Sequence, residues 1–222
     1  METVSIMSKV LGVDSSEEIR LVMYNNNKDM LQALPYSSSA TRASLITEGI
    51  YFGGTGILLL LGGNTGYKGV ASHEVIHVLV DRATVNAYVE VPAWLNEGLA
   101  EFGNMEPSVV YDRFLVAAIT TNTLAPITSM NRPPGIAEDV MLFYGQSRSI
   151  VAYLINTYGL NTITPLFDLI DSGYTIDQSM SRVYGFDRNE LDRLWRDYVG
   201  AASFEEKTPV LPTMIPLPTI VP

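Results

Sequence analysis

The sequence predicts a single mixed α/β domain with a small sheet near the N-terminus and a mostly helical C-terminal half. Three observations support this fold class. The chain has 222 residues, of which 47% are hydrophobic, and is long enough for one domain with a buried core. Short apolar runs bounded by asparagine or glycine lie within residues 18–61. After residue 70, the apolar residues follow the spacing of helices.

Segments in the N-terminal part have the composition of strands. Residues 18–24 include β-branched side chains and are followed by three consecutive asparagines. Residues 51–52 and Ile57–Leu61 flank the glycine-rich residues 53–56, which predicts two strands joined by a turn. We further expect Ile57–Leu61 to be an edge strand, on which a peptide backbone could lie by strand addition.

Apolar spacing and end signals predict the helices. Residues 70–82 are apolar on nearly every side and predict a buried helix. Residues 92–102 predict the next helix, because Pro92 suits a first turn and Gly103 suits the position after the end. The other predicted helices are residues 28–34, 107–121, 139–158, 164–171, 176–184 and 187–199.

The last residues differ in composition from the rest of the chain. Five of the twelve prolines lie in the last fourteen residues, and no charged residue follows Lys207. Proline at this density favours an extended chain without a packed core. We therefore expect a domain over residues 1–206 and a proline-rich linker over residues 207–222. The alternative is that these residues pack along the domain as a strap. If they are a linker, they suggest that the domain is tethered outside the cytoplasm.

Composition excludes several classes of function. Fourteen Lys and Arg residues against 24 Asp and Glu residues give a net charge of −10, which argues against a nucleic-acid partner. The absence of cysteine excludes thiolate metal sites and cysteine nucleophiles. No apolar run reaches the ~20 residues of a transmembrane helix, and the first residues lack the pattern of a signal peptide.

The two histidines of the chain lie one helical turn apart. They flank Glu74 in the segment HEVIH, as His73 and His77. Residues four apart share one face of a helix, so both imidazoles can bind the same metal ion. The carboxylate of Glu74 can then reach a water molecule on that ion rather than the ion itself. On a strand the two rings would be ~13 Å apart and could not share a metal.

Two ligands are too few for a catalytic zinc site, which normally has three protein ligands and one open position. Because cysteine and further histidines are absent, the third ligand must be Asp or Glu. The candidate is Glu97 in the segment WLNEGLAEF, and nineteen residues, 78–96, separate it from His77. A connection of that length allows the chain to complete the first helix, form a loop and begin a second helix that faces the first. Glu101 lies one turn after Glu97, where its carboxylate could accept the free ring N–H of a ligand histidine. Gly98 would allow the second helix to approach a neighbour closely.

The HEVIH and WLNEGLAEF segments together resemble the gluzincin metallopeptidases. The nineteen-residue gap is similar to the spacing in thermolysin-like enzymes, and the sequence of the second segment resembles the corresponding motif of aminopeptidase-N-like enzymes. The whole pattern looks closest to small bacterial peptidase-MA-like domains, which continue with a long tyrosine-containing helix. Residues 144–159 and the closing segment at residues 194–196 fit this pattern. The resemblance covers residues 18–200 and implies a zincin-like fold.

The resemblance also implies roles for individual residues. His73, His77 and Glu97 would be ligands of one zinc ion, Glu74 the general base, and Glu101 a partner of a ligand histidine. The implied activity is hydrolysis of peptide bonds in a peptide or protein substrate. Aminopeptidases of this clan carry a GxMEN-like motif, whose glutamate is missing from residues 53–66, so we expect an endopeptidase.

Thermolysin-like enzymes stabilise the oxyanion with a downstream histidine, and this chain has no histidine after His77. A tyrosine or an arginine would therefore have to donate the hydrogen bond. By analogy with tyrosine-using gluzincins we favour Tyr144, while Tyr111, Tyr153 and Arg148 stay open. Asp81, one turn after His77, is expected to be a helix-end residue rather than a ligand. Three alternatives to an active peptidase stay open: a non-catalytic zinc-stabilised peptide-binding module, a zinc-free scaffold, and a peptidase held latent by a terminal segment.

Overall fold

The computed structural model describes residues 2–33, 49–62, 66–87 and 90–203. In this part of the chain, a small sheet lies beside a larger helical assembly. The strands are β1 (Arg20–Tyr24), β2 (Gly49–Phe52) and β3 (Ile57–Leu61). The helices are α1 (Glu2–Leu11), α2 (Asn27–Gln32), α3 (Tyr67–Ala83), α4 (Ala93–Phe102), α5 (Val109–Thr121), α6 (Ala137–Tyr158), α7 (Ile163–Asp171), α8 (Ile176–Val183) and α9 (Arg188–Val199).

The predicted mixed α/β class is confirmed. Every strand and helix predicted from the sequence is present, with ends that differ by at most three residues where the structure describes them. The helix predicted over residues 28–34 corresponds to α2, and its predicted end at residue 34 lies outside the described residues. The proline-rich linker at residues 207–222 lies outside them as well. Helix α1 was not predicted and is an addition to the sequence-based picture.

The sheet order is β1-β3-β2, so β3 is the central strand. It pairs in parallel with β1 and antiparallel with β2, and Leu58 is the partner of both Leu21 and Tyr51. The expectation that Ile57–Leu61 is an edge strand is therefore wrong. Leu58, Leu59 and Leu60 are all buried, because an uninterrupted apolar run suits a strand that is covered on both faces. The edges of this sheet are β1 and β2.

Helix α3 connects the sheet with the helical half. It contacts β2 and β3 of the sheet as well as helices α1 and α4. Its residues Ile76, Val78, Leu79 and Val80 are fully buried, as the apolar sequence predicts for an enclosed helix. The ligand-like histidines are therefore carried by one of the most enclosed elements of the fold.

Helix α1 completes the core on the other side of α3. Its residues Met7, Val10 and Leu11 are buried, and the helix contacts α3 and α7. The hydroxyl of Thr164 donates a hydrogen bond to the carbonyl oxygen of Val10 over 2.8 Å, which joins α1 to the start of α7. The N-terminal helix is thus part of the domain and not an appendage.

Among the described residues, none of the helices combines the length and the apolar character needed to cross a bilayer.

Candidate active site

The two histidines project from the same side of α3. Their ring centroids are 4.8 Å apart, and the Nε2 atoms of His73 and His77 lie 3.1 Å from each other. This closeness follows from the helix, since residues i and i+4 lie one above the other on one face. The predicted convergence of the two rings is present.

Glu97 reaches this pair from α4. Its Oε2 atom lies 3.2 Å from Nε2 of His73 and 3.4 Å from Nε2 of His77. The side chains of His73, His77 and Glu97 are only 13%, 11% and 15% exposed. Three potential metal-donor atoms from two helices therefore form a small triangle below the surface.

The dimensions of this triangle suit a small divalent cation. In a tetrahedral zinc site with bonds of about 2.0–2.1 Å, neighbouring ligand atoms are about 3.3–3.4 Å apart. The three separations here are 3.1, 3.2 and 3.4 Å. Oε2 of Glu97 is buried and has no hydrogen-bond partner within the part of the chain that the structure describes. A buried carboxylate oxygen needs a partner, and a metal ion at the centre of the triangle would supply one.

Each histidine ring is oriented through its other nitrogen. Nδ1 of His73 lies 2.8 Å from Oε1 of Glu101, and Nδ1 of His77 lies 2.8 Å from Oδ1 of Asn96. Because both partners are oxygen acceptors, Nδ1 carries the proton in the neutral form of each ring, and Nε2 then presents a lone pair. Two lone pairs and one carboxylate oxygen therefore face the same point.

Asn96 was not singled out from the sequence. It directly precedes Glu97, and its position on the same helix brings its amide to the second histidine. The signal that could have identified it is its side-chain amide, which can accept a histidine N–H, at the position next to the predicted ligand Glu97. Glu101 lies where its spacing predicts, and it is nearly fully buried.

The electrostatics of the cluster favour bound positive charge. Burial alone would lower the pKa of His73, but its hydrogen bond to Glu101 and the negative charge of the nearby Glu97 outweigh burial and raise it to about 10. The pKa of His77 is raised as well, because the nearby Glu97 outweighs the effect of burial. Burial would raise the pKa of Glu97, but the two histidines hold it well below its usual range. The carboxylates of Glu97 and Glu101 therefore favour positive charge beside the histidines, such as that of a proton or of a divalent cation.

Glu74 lies beside the cluster and against strand β2. The backbone N–H of Tyr51 donates a hydrogen bond to its carboxylate, and burial raises the pKa of Glu74. A Cβ atom at Gly49 would lie 2.8 Å from Oε1 of Glu74, so only a glycine lets the strand come this close. The contribution of β2 to this side chain was not predicted from the sequence.

Tyr144 extends from α6 towards the first histidine. The centroids of the Tyr144 and His73 rings are 5.9 Å apart, in an edge-to-face arrangement. On its other side Tyr144 stacks on Tyr111, with centroids 5.4 Å apart. Burial raises the pKa of Tyr144 far above its ordinary value, so its hydroxyl keeps its proton and can donate a hydrogen bond.

The other donors considered from the sequence lie in different surroundings. Arg148 forms an ion pair with Asp112 on α5. The ring of Tyr153 contacts those of Tyr158 and Tyr198, with centroids 6.2 and 5.0 Å apart. The ring of Tyr144 contacts His73 of the cluster, and the ring of Tyr111 stacks on Tyr144.

Glycine allows α4 and α6 to pack closely enough to form the site. A Cβ atom at Gly98 would lie 2.5 Å from the carbonyl oxygen of Ser147 and 2.5 Å from a methyl group of Val151. No larger residue fits without moving the backbone of α6. The predicted close approach at Gly98 is present, and it brings Glu97 and Tyr144 to the same region.

A small mixed sheet, a buried helix with two histidines one turn apart, and a second helix that supplies a facing glutamate define a single zincin-like domain. A family model described as the peptidase MA superfamily matches residues 2–201. The chain belongs to this superfamily, which supports a peptidase-like function and peptide substrates. The matched region includes α1, which the resemblance seen in the sequence did not cover. No curated protein and no solved structure matches the chain.

Proposed function

We propose that this protein is a zinc-dependent endopeptidase with His73, His77 and Glu97 as the metal ligands. The observation that carries the proposal is the triangle of donor atoms, with separations of 3.1–3.4 Å, from two packed helices. The buried and unpartnered Oε2 of Glu97 supports it further. A zinc ion held there would lower the pKa of a water molecule towards ~7 and polarise a substrate carbonyl.

Glu74 is proposed as the general base and acid of the reaction. Its carboxylate accepts the proton of the attacking water and then donates it to the nitrogen of the leaving amine. Burial raises the pKa of Glu74, which makes it a stronger base than an exposed glutamate. The N–H of Tyr51 keeps one side of the carboxylate engaged, so its orientation is defined.

Tyr144 is proposed to stabilise the negative charge that develops on the carbonyl oxygen. A hydroxyl that stays protonated can donate a hydrogen bond to that oxygen in the transition state. Glu101 and Asn96 are proposed to hold the two histidine rings so that Nε2 of each faces the metal. Both contacts measure 2.8 Å.

Internal cleavage is proposed because the hairpin beside the site has no group to bind a free amino terminus. Residues 49–61, which form β2, its turn and β3, contain no Asp or Glu. If a peptide adds a strand to this sheet, the edge nearest Glu74 is β2 and not β3.

The test of the proposed function is a Glu74→Gln variant compared with the wild-type chain. We expect both proteins to bind about one zinc ion, measured by elemental analysis, because Glu74 is not a ligand. We expect the variant to cleave a peptide library about 10²–10⁴ times more slowly, since general acid–base catalysis is lost. Glu190→Gln, which alters an exposed carboxylate on α9, is the matched control and should cleave normally.

Three outcomes would contradict the proposal. Unchanged cleavage by Glu74→Gln would remove the assigned base. Bound zinc without cleavage by the wild-type chain would favour a non-catalytic binding module, and the lack of stoichiometric zinc would favour a scaffold. Peptides with blocked termini separate the two peptidase types, because an endopeptidase cleaves them and an aminopeptidase does not.

A further inference from the structure

Tyr51 on β2 contacts α3 at two places that are two helical turns apart. Its backbone N–H donates to the carboxylate of Glu74, and its side-chain hydroxyl donates to Oδ2 of Asp81. The two acids are seven positions apart, which corresponds to about 10.5 Å along the helix axis. One residue of the strand therefore joins the proposed general base to a second carboxylate of the same helix.

Asp81 also holds the turn that follows β2. The same Oδ2 atom accepts a hydrogen bond from the backbone N–H of Gly54 over 2.8 Å. The backbone nitrogen of Gly54 also lies 3.0 Å from the hydroxyl oxygen of Tyr51. The Gly54 amide, the Tyr51 hydroxyl and the Asp81 carboxylate therefore each contact the other two. Gly54 has a φ of 72°, a left-handed conformation that glycine adopts without strain.

Strand β2 is held by its pairing with β3, by its packing on α3, and by the contacts of Tyr51 and Gly54 with Asp81. It has four residues, lies at an edge of the sheet and pairs with β3 on one side. At its other end, the space between Gly49 and Glu74 is too small for a Cβ atom. A small displacement of β2 would therefore change the contacts of Glu74 directly.

We propose that Asp81 is a positioning residue for catalysis, which holds β2 on α3 through the Tyr51 hydroxyl and the Gly54 amide and thereby keeps the Tyr51 N–H on Glu74. The catalytic half of this proposal rests on the proposed function of Glu74, and the structural half does not. A role for Asp81 as a metal ligand does not agree with the geometry, since the donor cluster consists of His73, His77 and Glu97.

The test compares four variants with the wild-type chain: Asp81→Ala, Asp81→Asn, Tyr51→Phe, and the double variant Y51F/D81A. Three quantities are measured for each, namely amide hydrogen exchange across residues 49–61, the zinc dissociation constant, and kcat and KM on one peptide. Asp171→Ala is the matched control. Asp171 also accepts a hydrogen bond from a backbone N–H, that of Asn86, but it lies on α7.

We expect Asp81→Ala and Tyr51→Phe to lower kcat about tenfold, with KM and zinc affinity unchanged within a factor of two. Amides of residues 51–56 should exchange faster in both, while amides of α4 should not. Asp81→Asn should behave almost like wild type, because a single amide oxygen can accept both hydrogen bonds. Because the hydroxyl of Tyr51 acts through Asp81, the double variant should lose no more than Asp81→Ala.

Different results would overturn different parts. Unchanged exchange at residues 51–56 in Asp81→Ala would overturn the anchoring of β2, whatever the activity. Faster exchange without a loss of kcat, or a loss of zinc affinity in parallel with kcat, would overturn the catalytic role of Asp81. Independent, multiplying losses in the double variant would do the same. An inactive wild-type chain would instead overturn the proposed function of the protein.

Discussion

The two sides of the candidate active site are built in different ways. The metal side consists of His73, His77 and Glu97 with their partners Asn96 and Glu101, all on α3 and α4, which follow each other in the chain. The substrate side combines Glu74 with groups from β2 and α6, which lie far apart in sequence. Helical spacing is enough to bring the first set together, whereas the second set depends on how distant elements pack.

This difference has a functional consequence. Changes on the metal side should affect zinc binding and activity together, because the same atoms serve both. Changes on the substrate side should affect turnover while zinc stays bound. The following predictions test whether the two sides can be separated in this way.

The largest effect is expected for His77→Ala on the metal side. Removing one of three ligands should abolish stoichiometric zinc binding and reduce cleavage to background, because a two-ligand site holds zinc weakly. Elemental analysis and peptide cleavage measure the two effects. Glu74→Gln provides the contrast, since it should keep its zinc. A His77→Ala protein that retained one tightly bound zinc ion would show that the ligand set is different.

A smaller effect is expected for Tyr144→Phe on the substrate side. Loss of the hydroxyl should lower kcat about 10²–10³-fold, as for other oxyanion donors, and leave zinc affinity unchanged. Tyr153→Phe is the matched control from the same helix, because Tyr153 packs against Tyr158 and Tyr198 instead. Equal kcat values for Tyr144→Phe and wild type would exclude Tyr144 and direct attention to Tyr111 or Arg148.

The smallest effect is expected for Glu101→Gln, which belongs to the metal side although Glu101 is not a ligand. The change removes the negative charge that supports His73, and zinc affinity should fall about 10–100-fold. Competition with a zinc chelator measures the affinity. Glu106→Gln, on the loop after α4, serves as the control because its carboxylate contacts the Gly69 amide rather than a histidine. If kcat falls at saturating zinc, the separation of the two sides is incomplete.

Local spacing explains why much of the site could be predicted. The HEVIH segment and the glutamate after a gap of nineteen residues define two helices with donors on facing sides. Gly98 then marked a close contact, although its partner, Ser147 on α6, was not evident. These predictions depended on residues one turn apart or on one short connection, where helix geometry leaves few choices.

The missed features all depend on contacts between elements distant in the chain. Helix α1 has the apolar spacing of Met7, Val10 and Leu11 and is followed directly by Gly12, which has a left-handed φ of 70°. Its buried face, however, exists only because α3 and α7 cover it. The predicted edge position of β3 was wrong because its central position depends on a parallel pairing with β1, more than thirty residues earlier in the chain. The approach of β2 to Glu74 depends on the same sheet order.

The amino-acid sequence by itself predicted the two helices of the candidate site, its three proposed metal donors and the class of chemistry, because these follow from helical periodicity and ligand chemistry. The tertiary structure alone decided that β2 lies beside Glu74, that Tyr144 contacts His73, and that Tyr51 of β2 donates a hydrogen bond to Asp81. The physical reason is the sequence separation of the contacts. A helix by itself places residues four apart on the same face. Contacts between α6, β2 and α3 arise only when the core packs and glycines at positions 49 and 98 let the backbones meet.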